Sequence, residues 1–259
     1  MFKNETQPEL TRTDEPIQDP PTLAVVENDA QTSDMEPAIQ RVVDTWRTKL
    51  QDFENFVPPP ASPFHYFPVD TASQISSSPG LALASTNIAP YNNWAEFKLE
   101  ATDSSGGEQV IFTFEWQNAS DVYALINIHA YLVLNGEIEA ISGGGFFSGN
   151  TSEADTTYAE LSMSVSDAPQ VTLVSEQAVP PVTAVYDGYY SGGKIADPGP
   201  VFRGFDLQSE LQIVPPGATV TLQIMVALSY TNDDGQVDYV FMGLDRKVLS
   251  PGVLIVVVS

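Results

Sequence analysis

Val220, Leu222, Ile224, Val226, Leu228 and Tyr230 alternate with Thr221, Gln223, Met225, Ala227 and Ser229. Successive side chains of a strand point to opposite faces, so this pattern marks a strand with one buried face. Val110, Phe112, Phe114 and Trp116 repeat the period of two, as do Leu161, Met163 and Val165, and Val237, Tyr239 and Phe241. Turn signals fall between such runs: Asn135-Gly136, Pro215-Pro216-Gly217, Asp234-Gly235 and Pro251-Gly252. From residue 80 onward the pattern yields about ten strands and no helix, which predicts an all-β, antiparallel β-sandwich over 80–259, most simply a jelly roll. The last run, Val253 to Val258, is wholly apolar. It is expected inside a sheet, because an exposed edge of that kind aggregates.

Upstream the period changes. Ile39, Val42, Val43, Trp46, Leu50 and Phe53 recur at three- and four-residue steps, the apolar stripe of an amphipathic helix over 34–56. Ser33 and Glu36 have capping-box spacing, and Pro37 suits a first turn. Residues 1–33 are polar, acidic and proline-interrupted, and are expected to form an extended or disordered arm. No glycine precedes Gly80, whereas half of the 20 prolines fall by Pro68. Residues 57–79, with Pro58-Pro59-Pro60 followed by Phe64, His65, Tyr66 and Phe67, read as an extended strap.

Charge narrows the field of partners. Thirty-four acidic and ten basic side chains give a net charge of −24 over 259 residues. The excess is spread along the chain, so no single acidic tail accounts for it. Phosphate binding needs the opposite balance, so no direct contact with nucleic acid is expected. Screening by salt relieves repulsion on such a surface, which makes a salt-rich, halophilic setting one reading and a merely soluble surface the other. No apolar run approaches a membrane span. The polar start, Met1-Phe2-Lys3-Asn4-Glu5, lacks the apolar core of a signal peptide.

Candidate chemistry is sparse. Two histidines and no cysteine are too few to support a Ser-His-Asp triad or a His/Cys metal site. No cofactor, metal or catalytic residue is therefore expected, and the chain reads as non-enzymatic. His129 shares a strand face with Asn127 and Tyr131 and reads as structural. Asn232, Asp233, Asp234 and Asp238 carry oxygen ligands of the type calcium takes, yet their spacing does not match the helix-loop-helix calcium loop and suits a hairpin turn. The glycine-rich stretch Ser142 to Gly149 lacks the Lys-Ser/Thr of a phosphate loop. Asn118-Ala119-Ser120 and Asn150-Thr151-Ser152 match the glycosylation triplet and are read as coincidence. Tyr186, Asp187, Tyr189, Tyr190 and Lys194 lie in a flexible, aromatic stretch suited to contact a glycan or a protein neighbour.

Three functions compete on these grounds. The first is a structural subunit of a large assembly, most concretely a jelly-roll capsid protein of a virion, hence of an extracellular particle assembled in the cytoplasm. Its helix stripe and the rest of residues 1–60 would contact other subunits of a homo-oligomer. The second is a carbohydrate-binding or adhesin-like sandwich using the Tyr186–Lys194 loop. A carboxylate-based hydrolase ranks last, since 34 acids offer many pairs but the sequence shows no geometry.

Overall fold

The computed structural model describes residues 35–55, 62–102, 105–142, 151–166, 168–178, 182–185, 195–196, 200–232, 235–243 and 246–258. Within them one helix precedes fifteen strands in two sheets, and every pairing is antiparallel. The helix, α1 (Met35–Glu54), ends where Asn55 turns both its backbone N–H and its side-chain amide onto the Gln51 carbonyl. Among the described residues no helix is long and apolar enough to cross a membrane.

Sheet A is built around β6 (Ala124–Ser142). Along one side of it run β12 (Gln212–Val214), β11 (Pro200–Gln208) and β10 (Ile195–Ala196), end to end in one lane. Along the other side run β15 (Lys247–Val258) and β14 (Gly235–Phe241), again in one lane. Beyond these lie β1 (Phe64–Val69) and β4 (Asn93–Ala101), with β3 (Leu83–Asn87) outside β4. Sheet B runs β2 (Gln74–Ser77), β5 (Ser105–Gln117), β13 (Thr219–Asn232), β7 (Thr151–Val165), with β8 (Ala168–Ala178) and β9 (Val182–Val185) both paired to β7.

The period of two becomes the core. Ile126, Ile128, Ala130, Leu132 and Leu134 of β6 face Val110, Phe112 and Phe114 of β5 and Val220, Leu222, Ile224 and Val226 of β13, all in one buried cluster. Each large side chain removed from water there contributes about 1.5–3 kcal/mol. The wholly apolar end of β15 is interior to sheet A, between β1 and β6. Two buried asparagines pin the margins. Asn93 accepts from the Ala72 N–H (2.9 Å) and donates to the carbonyls of Asp70 (2.8 Å) and Ser250 (3.1 Å). Asn118 donates to the Val122 (3.0 Å), Val214 (3.2 Å) and Pro215 (3.0 Å) carbonyls and accepts from the Ser120 hydroxyl (2.7 Å). Its amide is thus occupied inside the fold rather than displayed.

Three readings of the sequence change here. The strap is not a linker throughout: Phe64–Val69 and Gln74–Ser77 are strands of the two sheets, so the sandwich starts at Phe64 instead of residue 80. Pro68 is tolerated because β1 pairs only with β15 and sits at an edge among the described strands. Asn135-Gly136 is not a turn but the middle of β6. A Cβ at Gly136 would stand 2.4 Å from the Phe241 ring and 2.6 Å from the Val240 carbonyl, so glycine serves close approach. Pro251-Gly252 lies within β15, where the register shifts between Leu249 and Gly252 and Gly252 adopts φ 133°.

Candidate functional site

The outer face of sheet A carries the features that set this molecule apart from a plain sandwich. Odd-numbered residues of β6 point away from the core, and the register places like-facing partners beside them. Tyr131 and Val133, with Phe202 of β11 and Leu249 and Leu254 of β15, form a second buried apolar cluster that Val43, Trp46 and Leu50 of α1 close from outside. The Trp46 and Tyr131 rings lie 5.1 Å apart, and Phe53 stacks on Tyr66 at 4.6 Å. Gly204, opposite Val133, makes room for the indole: a Cβ there would lie 3.0 Å from Trp46 Cη2 and 3.6 Å from Val42 Cγ1.

At the far end of α1, the Tyr91 hydroxyl donates to the Glu54 carboxylate at 2.6 Å. Tyr91 holds a left-handed φ of 56°, a conformation costing a non-glycine residue about 1–2 kcal/mol. Its N–H to the Asp70 carbonyl (3.0 Å) and its hydroxyl contact both support that geometry. Burial, then the bond to Glu54, pushes the phenol's pKa up.

Polar groups are enclosed in the same interface. His129 Nδ1 and Asp206 Oδ1 are 4.0 Å apart, within ion-pair range but too far for a hydrogen bond. Burial lowers the His129 pKa, with Asp206 opposing and Lys49 adding to the shift. Burial raises that of Asp206, against the pull of His129, a 3.5 Å contact from Gln208 and Lys49. Burial also raises that of the Tyr131 phenol. Trp46 Nε1 and Lys49 Nζ are buried with no hydrogen-bond partner among the described protein atoms. Desolvation therefore outweighs pairing for both His129 and Asp206, and the neutral forms are the ones the interface favours.

The stripe seen in the sequence thus has an intramolecular partner. Val43, Trp46 and Leu50 are spent on the chain's own sheet, with Val42 and Phe53 packed at the margin, and are not left over for a neighbour. The side chain of Ile39 lies outside the described residues. So do Tyr186, Asp187, Tyr189, Tyr190 and Lys194, as well as Asp233, Asp234 and, of the glycine-rich stretch, residues 143–149. The strand ends flanking these stretches gather at one end of the sandwich: β6 stops at Ser142, β9 at Val185, and β13 at Asn232. Asn232 is buried and donates to the Ala101 carbonyl (2.9 Å), and Asp238 accepts from Gln236 (2.6 Å). Among the described residues no three His, Cys, Asp or Glu side chains converge.

The opposite end was not singled out by the sequence. Six of the eight large apolar side chains exposed among the described residues collect there: Phe67, Val122, Tyr123, Leu125, Leu211 and Ile213. Register explains part of the gathering, since Phe64, Val258, Leu125 and Ile213 are direct partners in one row across sheet A. Between the sheets at this end lies a cavity of about 310 Å³, lined by Phe67, Trp116, Val122, Tyr123 and Val257 together with His65. The one legible signal is Leu125, an apolar residue on the face of β6 that otherwise alternates through Asn127 and His129. No protein-family model matches the chain, and no curated protein matches it.

Proposed function

We propose that this chain is a non-enzymatic structural subunit of a large assembly, a jelly-roll capsid protein of a virion-type particle. The observation that carries the reading is the crowding of exposed apolar side chains at one end of a molecule with net charge −24. Monomeric proteins rarely expose apolar patches of this kind without a partner for them. The strand order favours the same reading. Taking β4, β5, β6, β7, β8, β11, β13 and β14 in chain order, the first neighbours the eighth, the second the seventh, the third the sixth and the fourth the fifth. That nesting supports a rolled-up ribbon of two Greek keys as the arrangement. The step from fold to capsid is analogy, and the apolar end supplies what analogy lacks. The acidic excess suits a salt-rich medium, where screening lets like-charged subunits approach.

A second reading, a glycan-binding sandwich, draws support from the aromatic cavity beside Trp116 and Tyr123 as well as from the Tyr186–Lys194 loop. Light scattering and electron microscopy of the purified full chain, from low to molar salt, separate the two. Defined oligomers or shells that grow with salt are expected. A chain that stays monomeric throughout and binds glycans would replace the assembly reading with the second.

A further inference from the structure

Resting on the assembly reading, we propose that Leu23–Val26 of one copy docks as an added strand beside β12 of a second copy, along Leu211 and Ile213. The acceptor is a sheet edge: β12 pairs with β6 on one side and has no strand on the other among the described residues. Ile213 and Leu211 are exposed along it. An apolar edge left open recruits another strand. It is also continuous with the face α1 covers, since Leu125 and Val258 belong to the outward row next to Asn127 and Val256.

The donor follows from the chain that precedes α1. Of its 34 residues only Leu23-Ala24-Val25-Val26 form an apolar run of that length, and the run is uncharged. It therefore adds no like-charge repulsion against an acidic partner, and its valines suit a strand.

The direction of α1 favours a second copy over the same chain. The helix crosses sheet A from Gly204 in the β11 lane, past Tyr131 in β6, to Tyr66 in β1. Among the described residues the β11 lane is the edge of sheet A. Val42 already lies over Gly204, so the helix from Met35 to Arg41 projects roughly 10 Å past that edge at 1.5 Å per residue. A return to the chain's own β12 would retrace this overhang and travel from the level of Val133 to that of Leu125, roughly 27 Å along the strands. The linker from Val26 to Met35 spans at most about 32 Å when fully extended. Folding back would leave it nearly taut, whereas a neighbour beyond the edge needs no reversal.

The chain has no cysteine, so one introduced pair reports one contact. The full chain carrying Val25→Cys and Ile213→Cys is expected to form disulfide-linked multimers under mild oxidation. An equimolar mixture of the two single variants should give a linked heterodimer. Val25→Asp, which leaves the sandwich untouched, should weaken association at least tenfold in sedimentation. An intrachain disulfide without linked dimers would overturn the proposal, as would association of Val25→Asp equal to that of the parent. In that second case a parent that still assembles leaves the subunit reading standing, whereas a parent monomeric at every salt concentration removes both.

Discussion

Phe112 in the sandwich and Trp46 beneath the helix are buried to nearly the same degree, but their surroundings differ in kind. Phe112 lies among side chains that are almost entirely hydrocarbon, and Tyr239 at the margin satisfies its hydroxyl on the Ser229 carbonyl at 2.6 Å. The strands around it are hydrogen-bonded on both sides. Trp46 shares its interface with Lys49, His129 and Asp206, and its own Nε1 has no partner among the described protein atoms. It is held by a single helix of 20 residues, a length that is marginal in water without tertiary packing. On this contrast the sandwich is expected to unfold as one unit, with α1 as an attachment to it. Equal burial does not mean equal stability when one interior encloses groups that prefer water.

The largest expected effect is in the sandwich. Phe112→Ala should destabilise the whole fold by about 3–5 kcal/mol, read as a shift of the urea midpoint monitored by circular dichroism. Trp46→Ala should cost at most about 3 kcal/mol, because α1 can detach without opening the sheets. Its signature is loss of amide protection confined to α1. A Trp46→Ala midpoint shift as large as that of Phe112→Ala would break the comparison. Gly204→Ala puts a Cβ 3.0 Å from the indole and should cost about 1 kcal/mol by overpacking, again confined to α1. Rescue by a smaller residue at position 46 in the double variant would sharpen the assignment to that contact.

The smallest effect concerns charge, and its sign is definite. Asp206 holds its proton more tightly in the folded state than its ordinary value near 3.8 implies. Its stabilising contribution is complete below that value and is lost as pH rises through the raised one. Asp206→Asn should therefore stabilise the folded chain at neutral pH, with the advantage gone below about pH 3.8. His129 behaves oppositely. Its contribution is intact above its ordinary 6.5 and is lost as pH falls through the lowered value, so in the Asp206→Asn variant, where the opposing carboxyl is gone, stability should fall on acidification below 6.5. The urea midpoint against pH checks both signs, and an Asp206→Asn chain less stable than the parent at pH 7 would show that pairing, not burial, governs the site.

The sandwich was readable because its signal is local. The alternation in β13 and β5 names the buried face without reference to anything distant, and α1 likewise announces a buried stripe. What the stripe packs on was not readable. Its seat combines Tyr131, Gly204, Phe202 and Leu254 from three strands far apart in sequence, and β6 shows there a face that looks polar through Asn127 and His129. Prolines hid β1, since Pro68 argues against a strand until the edge position is known. Gly136 read as a turn because a glycine that permits close packing and one that permits a turn look alike in a sequence. The exposed end is not legible because its two short stretches, Val122–Leu125 and Leu211–Ile213, lie far apart in the chain and come together only through the pairing of β12 with β6.

Hydrogen exchange on the full chain, below and above the concentration at which it associates, tests most directly the claim that α1 belongs to its own body while the chain upstream reaches a neighbour. The account predicts that amides of α1 are protected already in the dilute monomer, and that Leu23–Val26 gains protection only on association. An α1 that exchanges freely in the monomer and becomes protected only in the assembly would contradict it, and would return the helix stripe to the role of intersubunit anchor.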